Sequence, residues 1–424
     1  MRTGWAFRTG LGILCLLVAA SMARGAGFAL YEGGARGNAL GGTLVGRAND
    51  PSTLFYDPAG MTQLPGLQVM GGATAITPKT DVVTTYGGTR SRSETETNLF
   101  LPPHLYSTYQ YTDSIWLGLG VFSRFGLGTE FDPNWPGRYN SYNAVIETLT
   151  VNPNVAFKVN DKLSLAGGVS WMSLDLTLEQ KIDFSSPSNP DPNTNALDID
   201  QSLKGDSSGY GFNLAAHYKA LDSLSLGVSY VSRTKQEIKG KADFTKPAGV
   251  PAFMFNDTKV SGEITLPDML FFGAVVHLVD RLSLELDGIW TRWSTYDELT
   301  MHYRDPILPG VNSITKDKRW NDVWRIQIGV EYKALDWLDL RLGYVYDDSP
   351  IPEETAEYLL PTNDRHLYSI GCGILLGRWT VDLSYTYLDM ESRSVSARPG
   401  DGVLDSRFKD SDAHLIGSSL SYKF

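Results

Sequence analysis

Cysteine and long apolar runs are scarce in this 424-residue sequence, and basic residues are outnumbered by acidic ones. The two cysteines are Cys15 and Cys372, and Cys15 lies in an N-terminal segment that we expect to be removed. An internal disulfide and a metal site built on cysteine are therefore excluded. The net charge of −11 argues against nucleic-acid binding, which needs a basic surface to displace counterions. After residue 25 no apolar run reaches about 18 residues, so insertion into a membrane would require closed β-strands.

The N-terminus has the pattern of a secretory signal peptide. Arg2 and Arg8 supply positive charge, residues 11–20 form a short apolar core, and small residues follow. This core is too short to span a bilayer, which takes about 20 residues. We predict a signal peptide over residues 1–25, with cleavage after Gly25 and, as the near alternative, after Ala23.

Alternation of apolar and polar residues is the main pattern in the rest of the chain. Leu340, Leu342 and Tyr344 alternate with Arg341 and Gly343, and this period of two predicts a β-strand. The same alternation occurs at residues 224–230, 282–287 and 379–387. Charged residues on the second face are predicted to form a solvated or ion-paired interior wall: Glu285, Asp287, Asp339, Arg341 and Asp382. A soluble sandwich would show the same alternation, so the pattern alone does not decide the fold.

The lengths of the connections favour a membrane barrel. Short turns are predicted near residues 112, 160, 221, 279, 335 and 377. Long polar connections are predicted at residues 78–97, 126–147, 183–201, 240–256, 302–319, 347–364 and 389–409. Outer-membrane barrels have tight turns at one end and long loops at the other. We therefore predict an all-β fold, a 14-stranded antiparallel transmembrane β-barrel over residues 66–424, with both chain ends on the short-turn side.

The two ends of the predicted mature chain fit this barrel. Residues 26–65 are rich in glycine and show no alternation, and a barrel of this size has an open lumen unless it is filled. We predict that they form a compact hatch (plug) in the lumen, with a disordered periplasmic tail as the alternative. The last strand is predicted over residues 413–424 and ends on Phe424, an aromatic terminus of the kind that the outer-membrane assembly machinery recognises.

Seven motifs occur in order along the chain. They are AGF at residues 26–28, FYDPAGM at 55–61, FGLGTEF at 125–131 with WPGRY at 135–139, LPD at 266–268, WTRWS at 290–294, DDSPIP at 347–352 and LPTNDR at 360–365. In these motifs the chain resembles the FadL-type outer-membrane transporters of long-chain fatty acids and hydrocarbons, the OMPP1/FadL/TodX family. The resemblance covers essentially the whole chain after the signal peptide.

The resemblance implies a barrel closed by an N-terminal hatch, a hydrophobic groove at the outer loops and a tighter pocket inside. It also implies lateral exit of the cargo beside a kinked third strand. It assigns a hatch motif to Asp57, Pro58, Ala59 and Gly60, with Asp57 where the family usually has asparagine.

The chemistry of a fatty acid suggests candidate site residues. Such a cargo needs an apolar trough that ends in a cation or amide donor. The residues predicted to bind it are Phe125, Leu127, Phe131, Trp135, Arg138 and Tyr139. For Arg138 the alternative is a structural ion pair with Glu130 or Asp132. Lys316, Lys318 and Arg319 are interpreted either as readers of the head group or as bridges to lipopolysaccharide phosphates.

Glycines in the predicted third strand, residues 115–125, point to a defect in the wall. Glycine within a strand often marks a bulge or bend. We therefore predict a lateral gate at this strand, and the residues assigned to it are Gly118, Gly120 and Gly126.

Together these features predict passive uptake of hydrophobic compounds, above all long-chain fatty acids. Uptake of aromatic or alkane hydrocarbons by the same route, or a general porin, are the alternatives. The sequence has no Gly-x-Ser-x-Gly elbow and no His-Glu-x-x-His motif, so no enzyme activity, cofactor or metal is predicted. Expected partners are hydrophobic small molecules, outer-membrane lipid and lipopolysaccharide, and the assembly machinery, with no nucleic acid and a monomeric chain.

Overall fold

The computed structural model of the protein describes residues 27–424, and β-strands dominate it from Leu67 onward. The predicted signal peptide and its cleavage sites lie outside the described residues. Within residues 27–424, no helix is long and apolar enough to cross a membrane.

The described elements are two short α-helices, four 3-10 helices and twenty-one strand segments. The helices are α1 (Ala35–Ala39) and α2 (Thr53–Tyr56), with 3-10 turns at Pro58–Gln63, Trp293–Thr295, Glu353–Thr355 and Pro399–Asp401. The strand segments are β1 (Leu67–Tyr86), β2 (Thr89–Glu94), β3 (Pro103–Gln110), β4 (Ile115–Phe122), β5 (Gly126–Glu130), β6 (Asn143–Lys158), β7 (Leu163–Asp183), β8 (Asp198–Leu221), β9 (Leu224–Val231), β10 (Thr234–Thr245), β11 (Thr258–Leu266), β12 (Met269–Val279), β13 (Leu282–Thr291), β14 (Glu298–Tyr303), β15 (Ser313–Asp317), β16 (Val323–Leu335), β17 (Leu338–Asp347), β18 (Arg365–Leu376), β19 (Trp379–Met390), β20 (Arg393–Val395) and β21 (Asp405–Lys423).

These segments form one closed antiparallel barrel. The first and last strands close it, since β1 pairs with β21 from Gln68 opposite Lys423 to Thr85 opposite Asp405. Five barrel strands consist of two segments each, namely β4–β5, β9–β10, β11–β12, β13–β14 and β15–β16, while β2 and β20 extend the outer hairpins. The barrel therefore has fourteen strands, and the prediction of a 14-stranded antiparallel barrel is confirmed.

The six short turns lie where the sequence predicts them, but the long connections are shorter than predicted. β1 continues to Tyr86 and pairs with β2, and β21 begins at Asp405 instead of residue 413. The strands continue past the apolar region because the hydrogen-bonded ladder needs only backbone partners, whereas apolar alternation is required only where a strand faces lipid. Hydrophobic periodicity therefore does not detect the outer ends of these strands.

The alternation predicted for the strands is present in the barrel wall. On β17, Leu340 and Leu342 are 45% and 58% exposed on the outside, whereas Arg341 between them is 3% exposed. The inward side chains form an ion-paired wall, since Arg341 bonds to Glu331 at 2.8 Å and to Asp382 at 2.5 Å. This wall confirms the interior predicted from the second face of the strands.

The third barrel strand is interrupted between β4 and β5. β4 pairs with β3 on one side and β6 on the other, whereas β5 pairs with β6 and, among the described strands, not with β3. The start of the described chain takes the missing place. The backbone N–H of Leu30 donates to the carbonyl of Arg124 at 2.8 Å, and that of Gly126 donates to the carbonyl of Phe28 at 2.9 Å.

Residues 27–66, called here the N-terminal segment, pack against inward-facing side chains of the barrel. Glu285 accepts the backbone N–H groups of Gly46 at 2.7 Å and Arg47 at 3.0 Å, and Arg47 also bonds to Glu331 at 2.8 Å. Asp287 accepts two further backbone N–H groups of the segment at 3.1 Å. The charged wall thus satisfies backbone donors that have no sheet partner of their own.

Candidate functional site

An apolar cavity of about 600 Å³ lies at the interruption of the third strand. Its lining comes from β1, from the connection between β2 and β3, from the interruption itself and from the start of the N-terminal segment, with further residues from neighbouring strands and from the loop before β18. The main apolar contributors are Phe28, Ile76, Phe100, Leu101, Phe125 and Leu127. A cavity of this size is within the range of small-molecule sites, which are mostly apolar and span about 300–1,000 Å³.

A second, narrower pocket of about 50 Å³ lies at the outer loops. Its walls are aliphatic and aromatic side chains of β7, β11 and β14 and of the following loops: Leu174, Leu176, Leu178, Ile264, Leu299 and Trp320. Phe28, Leu127, Ile146 and Leu360 line both this pocket and the larger cavity. The two spaces are therefore separated by shared side chains.

The narrow pocket ends in an ionic group. Lys318 is buried and forms an ion pair with Glu357. Lys316 donates to the side-chain oxygen of Gln180 at 3.2 Å. Burial alone would raise the pKa of Glu357, but Lys318 and Lys316 outweigh it and hold the pKa below its usual range. Lys318 and Glu357 thus line the end of this pocket, and Lys316, outside its lining, adds a positive charge that acts on Glu357.

Aromatic side chains surround the first described residues. The ring centroid of Phe28 lies 4.7 Å from that of Trp293, 5.7 Å from that of Trp320 and 6.1 Å from that of Phe125. A Cβ on Gly27 would approach Trp293 to 2.7 Å, so this position has space only for glycine. The start of the N-terminal segment is therefore held beside both cavities by edge-to-face aromatic contacts.

Two of the six predicted cargo-binding residues reach the cavities. Phe125 lines the large cavity, and Leu127 lines both. Phe131 and Trp135 instead stack on each other with centroids 4.0 Å apart, and Trp135 packs on Tyr358 at 4.7 Å. These two rings form the buried core of the outer loops, and their role in binding stays a prediction.

Arg138 and Tyr139 also belong to the core of the outer loops. The guanidinium of Arg138 pairs with Asp198 at 2.9 Å, and the hydroxyl of Tyr139 donates to the same carboxylate at 2.8 Å. The ion pair suggested for Arg138 is thus made with Asp198, and not with Glu130 or Asp132. Because this arginine already has a buried carboxylate partner, the structure does not present it to either cavity.

The hatch motif forms a buried turn against the barrel wall. Asp57 caps the 3-10 helix Pro58–Gln63 by accepting the backbone N–H of Ala59 at 3.0 Å. Gly60 is needed because a Cβ there would overlap Ala48. Burial of Asp57 raises the pKa of its carboxyl well above the ordinary value, and Asp57 Oδ2 has no hydrogen-bond partner in the described chain.

The glycines predicted for the lateral gate do not form the interruption. Gly118 and Gly120 lie within β4, which is fully paired on both sides, and only Gly126 borders the break. A Cβ on Gly118 would overlap the sulfur of Met61, so this glycine gives room to the N-terminal segment. The break lies at residues 123–125, where the backbone bonds to the N-terminal segment.

Several residues of the site were not predicted. Phe28 and Glu357 join the site only through contacts between distant parts of the chain, and sequence spacing carries no sign of these contacts. The sequence indicates Lys318 as a possible reader of a head group, whereas Glu357 lies in no distinguishing pattern. The apolar residues of β7, β11 and β14 look like ordinary inward strand positions.

A closed barrel of fourteen strands with apolar cavities at its wall and outer loops defines a membrane channel for apolar molecules. The profile of the family described as outer membrane protein transport protein (OMPP1/FadL/TodX) matches residues 16–424. The chain belongs to this family of outer-membrane transporters of hydrophobic compounds.

Relatives and solved structures agree with this assignment. The chain is 24% identical to the long-chain fatty acid transport protein of Escherichia coli O6:H1, over 98% of both chains. It superposes on the crystal structure of a Pseudomonas aeruginosa FadL homologue with a TM-score of 0.80, at 22% identity, covering 95% of this chain and 100% of the other. The Pseudomonas putida toluene transporter TodX has a similar fold, with a TM-score of 0.70, 18% identity and coverage of 95% and 99%.

Proposed function

We propose that the chain is a passive channel for uptake of long-chain fatty acids across the outer membrane. The observation that carries this proposal is the apolar cavity of about 600 Å³ at the interruption of the third strand. It shares lining residues with a narrower outer pocket that ends in Lys318 and Glu357. An apolar tail and a single carboxylate fit this arrangement of surface and charge.

The proposed route starts at the outer loops. A fatty acid is captured in the narrow pocket, where its tail replaces contacts among leucine and isoleucine side chains. It then passes Phe28 and Leu127, which line both spaces, into the larger cavity. From there it leaves sideways through the wall, where β5 has no strand partner on the β3 side within the described chain.

In this proposal the chain is divided into a signal peptide at residues 1–25, a hatch at residues 26–65 and a barrel at residues 66–424. The hatch has to shift for cargo to pass, because its first described residues form the hydrogen bonds at the break. The turn at Asp57, Pro58, Ala59 and Gly60 provides a rigid support for this movement, with Pro58 restricting the backbone.

The charge of the outer pocket favours a carboxylate over an uncharged cargo. Lys318 lines the pocket beside Glu357, Lys316 adds a second positive charge close to it, and the nearby Asp401 is paired with Arg398 at 3.0 Å. Fatty acid is also named for the Escherichia coli relative, and toluene for TodX, whose likeness extends to the fold alone. Aromatic or alkane hydrocarbons are the second candidate because the large cavity is itself mainly apolar.

The experiment is binding and growth with fatty acid. Purified protein should bind oleate with a Kd of about 1 μM, and expression in a strain without its own transporter should restore growth on oleate. Growth restored only on toluene or an alkane would favour the second candidate. Free ion conductance without binding of any amphiphile would identify a general porin and reject the proposal.

The remaining proposed partners follow from location in the outer membrane. The exposed apolar face of the barrel contacts outer-membrane lipid, and the outer rim contacts lipopolysaccharide. Lys318 is buried and bound to Glu357, so it is not available for such a lipid contact. We propose that the barrel is inserted by the outer-membrane assembly machinery and works as a monomer.

A further inference from the structure

Arg124 occupies the interruption of the third strand, between β4 and β5. Its side chain is turned inward, and the residue is 4% exposed. The guanidinium lies 4.2 Å from the ring centroid of Phe55 and 5.0 Å from that of Phe122. Its Nη2 donates to the carbonyl of Phe55 at 3.1 Å. A single arginine thus joins the break in the wall to the N-terminal segment.

Arg124 has no acidic partner among residues 27–424, unlike the buried Arg47, Arg138 and Arg341. Arg47, Arg138 and Arg341 each have a carboxylate within 3.1 Å. Nη1 of Arg124 is buried and has no hydrogen-bond partner in the described chain. The ionisable side chains that act electrostatically on its guanidinium are Tyr31, Tyr56 and Tyr106, and none of them is a carboxylic acid. Burying a cation without a counter-charge is costly, so an unpaired guanidinium at this place calls for an anionic ligand.

The space beside Arg124 is lined by both polar and apolar side chains and, within the described chain, by no acidic one. A cavity of about 20 Å³ lies there, and none of the described residues that line it is acidic. Hydroxyl and amide side chains from β6 to β9 and from the break after β9 face it: Thr150, Asn152, Ser170, Asn213, Ser229 and Ser232. Phe125 lines both this small cavity and the large apolar one. If the ring of Phe125 moved aside, the large apolar cavity would open onto the guanidinium of Arg124 and the uncharged hydroxyl and amide groups near it.

We infer that Arg124 binds the carboxylate of the cargo at the break in the barrel wall. This inference rests on the proposed uptake of fatty acids. It adds a second binding site for the carboxylate, distinct from the pocket at Lys318. A guanidinium can donate two parallel hydrogen bonds to one carboxylate, a geometry that an uncharged hydrocarbon cannot use. Arg124 therefore selects monocarboxylates over neutral molecules of the same length.

The test compares oleate with oleyl alcohol, which has the same chain and no charge. Uptake of each is measured in cells that lack their own transporter and express the full chain or a variant. Arg124→Met should lower oleate uptake about tenfold, since a hydrogen bond to a charged group is lost, and should change oleyl alcohol uptake less than about twofold. Arg124→Lys keeps the charge and should retain most of the preference for oleate.

The matched control is Arg233→Met. Arg233 also follows a serine at an interruption within a barrel strand, between β9 and β10, but it is half exposed and pairs with Asp268 at 3.2 Å. Its replacement should leave the uptake of both compounds unchanged. Heat-modifiable migration on gels verifies that each variant forms a barrel. If Arg124→Met does not assemble, Arg124→Lys alone is compared with the unaltered protein.

Three outcomes would overturn the inference. Equal losses of oleate and oleyl alcohol uptake in Arg124→Met, or in Arg124→Lys if it stands alone, would show a purely structural role. Unchanged oleate uptake in Arg124→Met would show that the carboxylate does not meet this residue. Failure of the unaltered protein to take up either compound would instead reject the proposed function and, with it, this inference.

Discussion

Replacing Glu285 by alanine should loosen the N-terminal segment where it crosses the barrel interior. Glu285 accepts the backbone N–H groups of Gly46 at 2.7 Å and Arg47 at 3.0 Å. A hydrogen bond to a charged group contributes about 1.5–3 kcal/mol. The substitution also removes the ion pair between Arg47 Nε and Glu285 Oε2 at 3.1 Å, although Arg47 keeps Glu331 as a partner at 2.8 Å. The free energy for local opening of this part of the segment should therefore fall by at least about 3 kcal/mol, the lower bound for the two backbone bonds.

Amide hydrogen exchange measures this change directly, because it reports the free energy of local opening. A fall of about 3 kcal/mol corresponds to exchange about 100-fold faster at residues 44–47. The matched control is Glu263→Ala, which removes an exposed carboxylate paired with Lys235 at 2.7 Å. Surface pairs of this kind contribute about 1 kcal/mol or less, so exchange at residues 44–47 should not change in the control.

Equal exchange rates at residues 44–47 in Glu285→Ala and Glu263→Ala would refute the reasoning. Faster exchange throughout the barrel strands would refute it as well, because it would indicate global destabilisation instead of a loosened segment.

Two further predictions concern the same packed interior. Asp57→Asn should stabilise the N-terminal segment at neutral pH, because burial raises the pKa of Asp57 above 3.8 and ionisation of the buried carboxyl then opposes folding. In the unaltered protein the N-terminal segment is most stable at low pH, where Asp57 is protonated, and its stability decreases as the pH rises above about 4. The unfolding temperature of the unaltered protein should therefore fall with rising pH, and this dependence should be absent in the variant. Gly343→Ala should displace the N-terminal segment, because its Cβ would overlap the backbone nitrogen of Gly41. Ion conductance in planar bilayers should increase in that variant and stay low in Gly400→Ala, whose Cβ would meet no atom within 4 Å.

The barrel could be predicted because its strands repeat one simple physical rule. Leu340, Arg341 and Leu342 alternate between lipid and interior, and each short turn interrupts that alternation in the sequence. The ends of β1 and β21 could not be predicted, because their outer parts are held by backbone pairing in segments where neither face needs to be apolar.

The candidate site was predictable only in part. Phe125 and Leu127 are predicted as part of an apolar trough for a fatty-acid tail, and they line the cavity. The residue types of Trp135 and Arg138 suit a fatty-acid site equally well. Their partners, Tyr358 and Asp198, lie far along the chain and hold them in the core of the outer loops. Residue type alone does not distinguish a loop core from a ligand pocket when the deciding contacts are long-range.

Pairing between the N-terminal segment and the interrupted strand has a consequence for register. Phe28 and Leu30 bond to the backbone around Phe125, and side chains alternate along an extended segment. A shift of one residue in an extended pairing reverses the side on which every side chain lies. With α1 held in place, deletion of one residue between Leu30 and α1 would therefore move Gly27 into the place of Phe28 and turn Phe28 away from Trp293 and Trp320. The number of residues ahead of α1 thus determines which side chain lies beside the opening in the wall.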